Sequence, residues 1–200
     1  MAFRGLEMKM RAGMVLACAA SPREVRLARN LGFENVVHVG VGCWRAVPEG
    51  RKFSFGYGGS SALALGSVVD AYKVVDTKGR TLWEEEPCGL VRGAKPGVIV
   101  AVDHVVCDPN ERRDMCELGD IFDMETGRLA QMKGFMGAIR FVTDNSGKKL
   151  PGVLAFAQRK SGRAKVSRVV YAFIKEPRRS FQTWTNIREA EQAIRDLVLA

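Results

Sequence analysis

The stretch from Gly137 to Arg179 constrains the fold most. It alternates β-prone runs with turn signals: Gly137 to Thr143, a turn at Asp144-Asn145-Ser146-Gly147, Leu150 to Gln158, a turn at Ser161-Gly162, then Lys165 to Lys175. Apolar and β-branched runs separated by short Asn/Ser/Gly clusters read as hairpins, so three antiparallel strands are expected here. A two-residue turn at Ser161-Gly162 would set Lys160 opposite Arg163, and like charges facing across a ladder repel. Such a tip invites an anion, or else it is a solvated, edge-blunting turn.

The same stretch holds the charge asymmetry. The chain has 31 Lys+Arg against 22 Asp+Glu, a net of +9; residues 1–132 carry 17 of each sign, and residues 133–200 carry the whole excess. The expected organisation is one domain over 1–200, with a neutral part (1–132) followed by a basic meander and C-terminal helix (133–200). A charge excess confined to one part of a chain suits an anionic partner. Lys148, Lys149, Arg159, Lys160, Arg163, Lys165 and Arg168 are the candidate phosphate contacts. Arg178 and Arg179 interleave with Phe181 and Trp184, a composition suited to stacking bases beside phosphates. The competing reading, stronger for Trp184, packs these aromatics under the last helix.

The remaining elements are signalled less evenly. Residues 13–20 read as an apolar strand of a mature chain, since Arg11 leaves too short an apolar run ahead of Ala17-Cys18 for a leader. Ser21-Pro22-Arg23-Glu24 is a capping box with proline at the first helical position, and Gly32 ends that helix, expected over 22–31. Asn35 to Val41 returns as a strand. The unit is either a parallel crossover or a helix lying on an antiparallel sheet. Residues 51–57 form a strand. Gly56 to Ser61 is read as a turn or bulge rather than a phosphate cradle, because the P-loop lysine and the third glycine of the dinucleotide motif are absent. Residues 61–73 are either a helix or further strand. Val74 to Glu85 is a hairpin, Pro87 to Gly97 a loop, and Val98 to Cys107 a central strand. A second helix covers 187–199, capped by Asn186. The expected class is α+β, with a mainly antiparallel sheet or open β-barrel and two well-signalled helices.

Candidate chemistry is weak. Asp76-Thr77-Lys78 with Asp70 resembles a fragment of a metal-dependent nuclease site. Asp103 and His104 sit together in an apolar run, but on a strand they would point to opposite faces. His104 with Cys88, Cys107 and Cys116 lacks zinc-ligand spacing. No metal and no cofactor is expected. The five cysteines, an odd number in a chain with 46% hydrophobic residues, suggest reduced thiols and a cytoplasmic compartment. Asp108 to Glu125 reads as an acidic loop able to dock on the basic meander, within a chain or between copies of a homo-oligomer. The expected function is a non-enzymatic protein that binds nucleic acid, single strands favoured, and that can self-assemble on it. The alternatives are a structural protein meeting an anionic membrane surface, and a metal-dependent enzyme around Asp70, Asp76 and Asp103.

Overall fold

The computed structural model describes residues 15–145, Tyr171 and residues 174–199. Its elements are β1 (Leu16–Ala19), α1 (Pro22–Asn30), β2 (Val36–His38), β3 (Lys52–Gly59), β4 (Val68–Asp76), β5 (Thr81–Glu84), β6 (Lys95–Ala101), α2 (Pro109–Leu118), β7 (Ile121–Asp123), α3 (Thr126–Ala130), β8 (Phe135–Asp144) and α4 (Pro177–Leu199).

The eight strands form one sheet in the order β2-β1-β3-β7-β6-β4-β5, and β8 bridges β3 and β4. Strands β3, β7, β6, β4 and β8 therefore close into a five-stranded barrel, from which β1 and β2 extend on one side and β5 on the other. The class is α+β as expected, but the sheet is mixed. β1 pairs parallel to β2 and β3, β3 to β8, β4 to β6 and β6 to β7; only β3–β7, β4–β5 and β4–β8 are antiparallel. The mainly antiparallel expectation took each glycine-rich turn for a hairpin. The partner of β8 is instead β3, which lies some eighty residues earlier.

Local signals explain most element boundaries. Ser21 Oγ accepts the Glu24 N–H at 3.2 Å, with Pro22 in the first turn, and Gly32 leaves the helix at φ +89°. The β1–α1–β2 unit is the parallel crossover. Asp108 caps α2, its carboxylate taking the Asn110 N–H at 2.9 Å, and Pro109 follows it. The acidic stretch 108–125 is thus a helix and a buried strand rather than a solvated loop. Residues 61–73 hold no helix, since Ser61 to Ser67 is irregular and β4 follows. The 74–85 hairpin is present as β4–β5. Tyr171, Ile174 and Lys175 are helical, so the third meander strand is not a strand there. α4 begins at Pro177, ten residues ahead of the expected helix, and Asn186 is an interior residue of it.

The apolar core splits across the sheet. One side packs Phe33, Phe53, Phe55, Ile139 and Phe141 with Ala28 of α1 and Ile194 of α4. The other packs Val69, Ile99, Ile121, Leu129 and Val142. Phenylalanine rings on the first side meet edge to face, Phe55 and Phe141 at 5.3 Å between centroids, an arrangement the ring quadrupoles favour.

Candidate functional site

The site grows out of a gap in strand pairing. One edge of β3 is covered by β1 only as far as Phe55 and by β7 only from Gly59. The Tyr57 N–H lies between them without a strand partner. A buried N–H without an acceptor is costly, and here the side chain of Glu24, reaching in from α1, accepts it at 2.9 Å. Gly56 makes room: a Cβ there would lie 2.2 Å from Glu24 Oε1 and 3.5 Å from Arg140 Nη1. The glycines read as a turn are strand residues, kept small by what crosses their face.

Arg140 is the centre. It stands in the middle of β8, opposite Gly56 in register, and is 1% exposed. Its Nε donates to Asp123 Oδ2, and Nη2 lies against the same oxygen in an ion pair of which both side chains are buried. Nη2 also donates to Ser54 Oγ and, at 2.9 Å, to Thr126 Oγ1; Thr126 Oγ1 in turn donates to Asp123 Oδ2 at 2.5 Å. A buried guanidinium survives only when paired and hydrogen-bonded, and this one is.

Two more buried carboxyl groups lie in the same cluster. Glu125, two residues after Asp123, accepts the Gly42 N–H at 3.0 Å. Burial raises the Glu125 carboxyl to about 8, helped by the negative charges of Asp123 and Glu24 and opposed by Arg140. Burial also raises the Glu24 carboxyl, offset in part by the Tyr57 N–H and the Ser21 hydroxyl. Asp123 already matches the charge of Arg140, so Glu24 and Glu125 are surplus acids in a desolvated space. Such paired carboxyls can hold and move a proton near neutral pH. The cluster extends outward through Tyr57, whose hydroxyl donates to Glu191 Oε1 of α4 at 3.2 Å, while Arg23 of α1 forms an ion pair with Glu191.

Of the sequence-derived candidates, Lys148, Lys149, Arg159, Lys160, Arg163, Lys165 and Arg168 lie outside the described residues, as do the turn at Ser161-Gly162 and the second half of the turn at 144–147. Arg178 is exposed on α4, and Arg179 belongs to the same helix. Trp184 is 45% exposed rather than packed beneath the helix, with Arg188 4.4 Å from its ring and Phe181 6.0 Å away.

The nuclease-like and zinc-like groupings dissolve as well. Asp76 organises the hairpin turn, accepting the Lys78 and Arg80 N–H groups at 2.8 and 2.9 Å. Asp70 is buried and pins the 88–89 loop through the Cys88 and Gly89 N–H groups. Asp103 and His104 lie past the end of β6, where β6 is shorter than expected. There they do meet: His104 Nδ1 is 2.6 Å from Asp103 and Nε2 is 2.7 Å from Glu111, on the surface. Among the described residues no three His, Cys, Asp or Glu side chains converge to hold a metal ion, and none of the five cysteines forms a disulfide. No helix among the described residues is long and apolar enough to cross a membrane.

Sequence reasoning saw Glu24 only as a capping residue and Asp123 and Glu125 only as part of an acidic loop, and gave Ser54, Thr126 and Arg140 no role. The available signal was charge inside apolar runs, Arg140 between Ile139 and Phe141, and Asp123 after Ile121-Phe122. Charges so placed must be partnered if the run is buried.

No known protein family model matches the chain, and no curated protein sequence does. Among solved structures it is similar to uridine phosphorylase from Schistosoma mansoni in complex with thymine, at 11% identity, with 96% of this chain and 92% of that chain covered and a TM-score of 0.46. It is also similar to a uridine phosphorylase of the oomycete Phytophthora capsici, at 9% identity, 88% and 86% coverage and a TM-score of 0.43. A third is isoform 2 of the Schistosoma mansoni uridine phosphorylase, at 9% identity, 68% and 76% coverage and a TM-score of 0.39. These structures are of enzymes, and none of the three is a nucleic-acid-binding or structural protein of the kind expected from the sequence.

Proposed function

We propose that this chain is an enzyme that breaks a glycosidic bond, with Glu24 and Glu125 as its working carboxyl pair and Arg140 as the group that fixes them. The observation that carries the reading is the two surplus acids left in one desolvated cluster once Asp123 has paired with Arg140. Glycosidic cleavage uses such a pair: one carboxyl donates a proton to the leaving group, and the other faces the cation-like transition state while water, or phosphate where it is supplied, adds to the sugar carbon. Glu125 suits the donor role, because a carboxyl titrating at about 8 still holds its proton at neutral pH. Glu24 is the second carboxyl of the pair: burial raises it too, and the Tyr57 and Ser21 groups that donate to it offset that in part. Ser54, Thr126 and Asp123 keep the guanidinium in place.

The cluster itself supports this reading. Uridine, after which the enzymes of similar structure are named, only sets where the test begins. A panel of nucleosides, uridine included, is incubated with the full chain with and without inorganic phosphate, and the freed base is quantified by chromatography. Turnover of at least one member is expected, with Glu125→Gln slower by about 10²–10⁴-fold. A Glu125→Gln enzyme as fast as the parent would overturn the assignment of the acid, and release of no base from any nucleoside would overturn the substrate class.

A further inference from the structure

We propose that Glu191 of α4 is a positioning residue for the acid cluster: it clamps the first turn of α1 to β3 and so fixes the Glu24 carboxyl. The role rests on reading Glu24 as one of the two working carboxyls.

Neighbouring charges in the sequence take opposite directions. Successive residues of a helix project about 100° apart, so Arg23 and Glu24 leave the first turn of α1 on different sides. Glu24 turns inward, is buried and accepts the Tyr57 N–H. Arg23 turns toward α4. Its Nη2 donates to Glu191 Oε2, and its Nε lies against Oε1, a two-pronged pairing. The Tyr57 hydroxyl donates to the same Oε1 at 3.2 Å. These contacts close a ring. Tyr57 is joined to the first turn of α1 twice: directly, through its N–H on Glu24, and again through its hydroxyl by way of Glu191 and Arg23.

The corners of the ring are firm. Ala190 and Ile194, which flank Glu191 in α4, are wholly buried, and Ile194 packs with Phe55 and Phe141. Tyr57 is held on its other edge by β8, opposite Phe141. The first turn of α1 is set by the Ser21 cap. An exposed ion pair contributes little, because water screens it and two long side chains must be ordered. Glu191 is better placed: its side chain is 18% exposed and meets three polar groups at once. A two-pronged contact with a guanidinium fixes direction as well as distance. That matters for Glu24, since a reacting group displaced by about 1 Å can lose about a hundredfold in rate.

Amide hydrogen exchange in the full-length protein reads the clamp without substrate. In Glu191→Ala, protection of the Tyr57 amide should fall about tenfold, the contribution of one hydrogen bond to a charged group. The Arg112 amide, bonded to the Asp108 carbonyl in α2, should hold steady. A fall shared by both amides is general loosening and overturns the clamp, and so does unchanged protection at Tyr57. Tyr57→Phe removes only the hydroxyl arm and should move the backbone amide at position 57 the same way; it decides the matter if Glu191→Ala does not fold. With the nucleoside of the panel that the parent cleaves fastest, Glu191→Ala should lower kcat about 10–100-fold at unchanged KM, the mark of lost alignment rather than lost binding. A kcat equal to the parent's overturns the positioning role and leaves the proposed function standing. If the parent cleaves no nucleoside, the glycosidic reading falls, and the exchange result alone decides whether Glu191 fixes Glu24.

Discussion

At Gly56 a single hydrogen atom decides whether α1 can reach the sheet. The Glu24 carboxylate crosses where a Cβ would stand, 2.2 Å from Oε1, and the buried Arg140 lies just beyond. Neither neighbour has somewhere to go. Glu24 is tied to the Tyr57 N–H, and Arg140 to Asp123, Ser54 and Thr126. Gly56→Ala should therefore lower stability by about 1–3 kcal/mol, the usual cost of overpacking a filled core. The shift in the urea unfolding midpoint at unchanged m-value measures it. Gly42 is the opposite case: a Cβ there would meet nothing within 4 Å, and its glycine is explained by φ alone.

At the scale of elements, α4 presents two faces with different consequences. Ala190 and Ile194 are buried against the sheet beside Phe55 and Phe141, whereas Phe181 and Trp184 stand in solvent, 58% and 45% exposed. Ile194→Ala should cost about 2–5 kcal/mol, and Trp184→Ala should stay within about 0.5 kcal/mol of the parent. Paired chemical denaturation curves of the two variants check both. The sequence signal for α4 was an Asn cap at residue 186. The start was missed because Pro177 is as good an N-terminal residue as Asn186 is a cap, and the chain uses the earlier one.

Capping and turn chemistry are local, so α1 and the β4–β5 hairpin were legible. The barrel was not, since β3–β8 and β6–β7 pairing depends on contacts that no short window contains. For the same reason Arg140 read as one more basic residue of a meander. Its partners Asp123 and Ser54 are 17 and 86 positions away, and they are what make it part of a site.

Across the whole molecule, one closed barrel gathers Glu24 from α1, Asp123 and Glu125 from the end of β7 and Arg140 from β8 around the single place where β3 changes partners. The central claim is that this place stores a proton at neutral pH. Infrared difference spectra between the parent and Glu125→Gln, recorded across a pH series, test it most directly. Only a protonated carboxyl shows the free-acid C=O stretch, and the difference isolates that of Glu125. The band should be present at pH 7 and fade with a midpoint near about 8. A band already gone by pH 6, with a midpoint in the ordinary glutamate range near about 4.3, would contradict the account. Glu125 would then be an ordinary carboxylate, and the proposed proton donor would be lost.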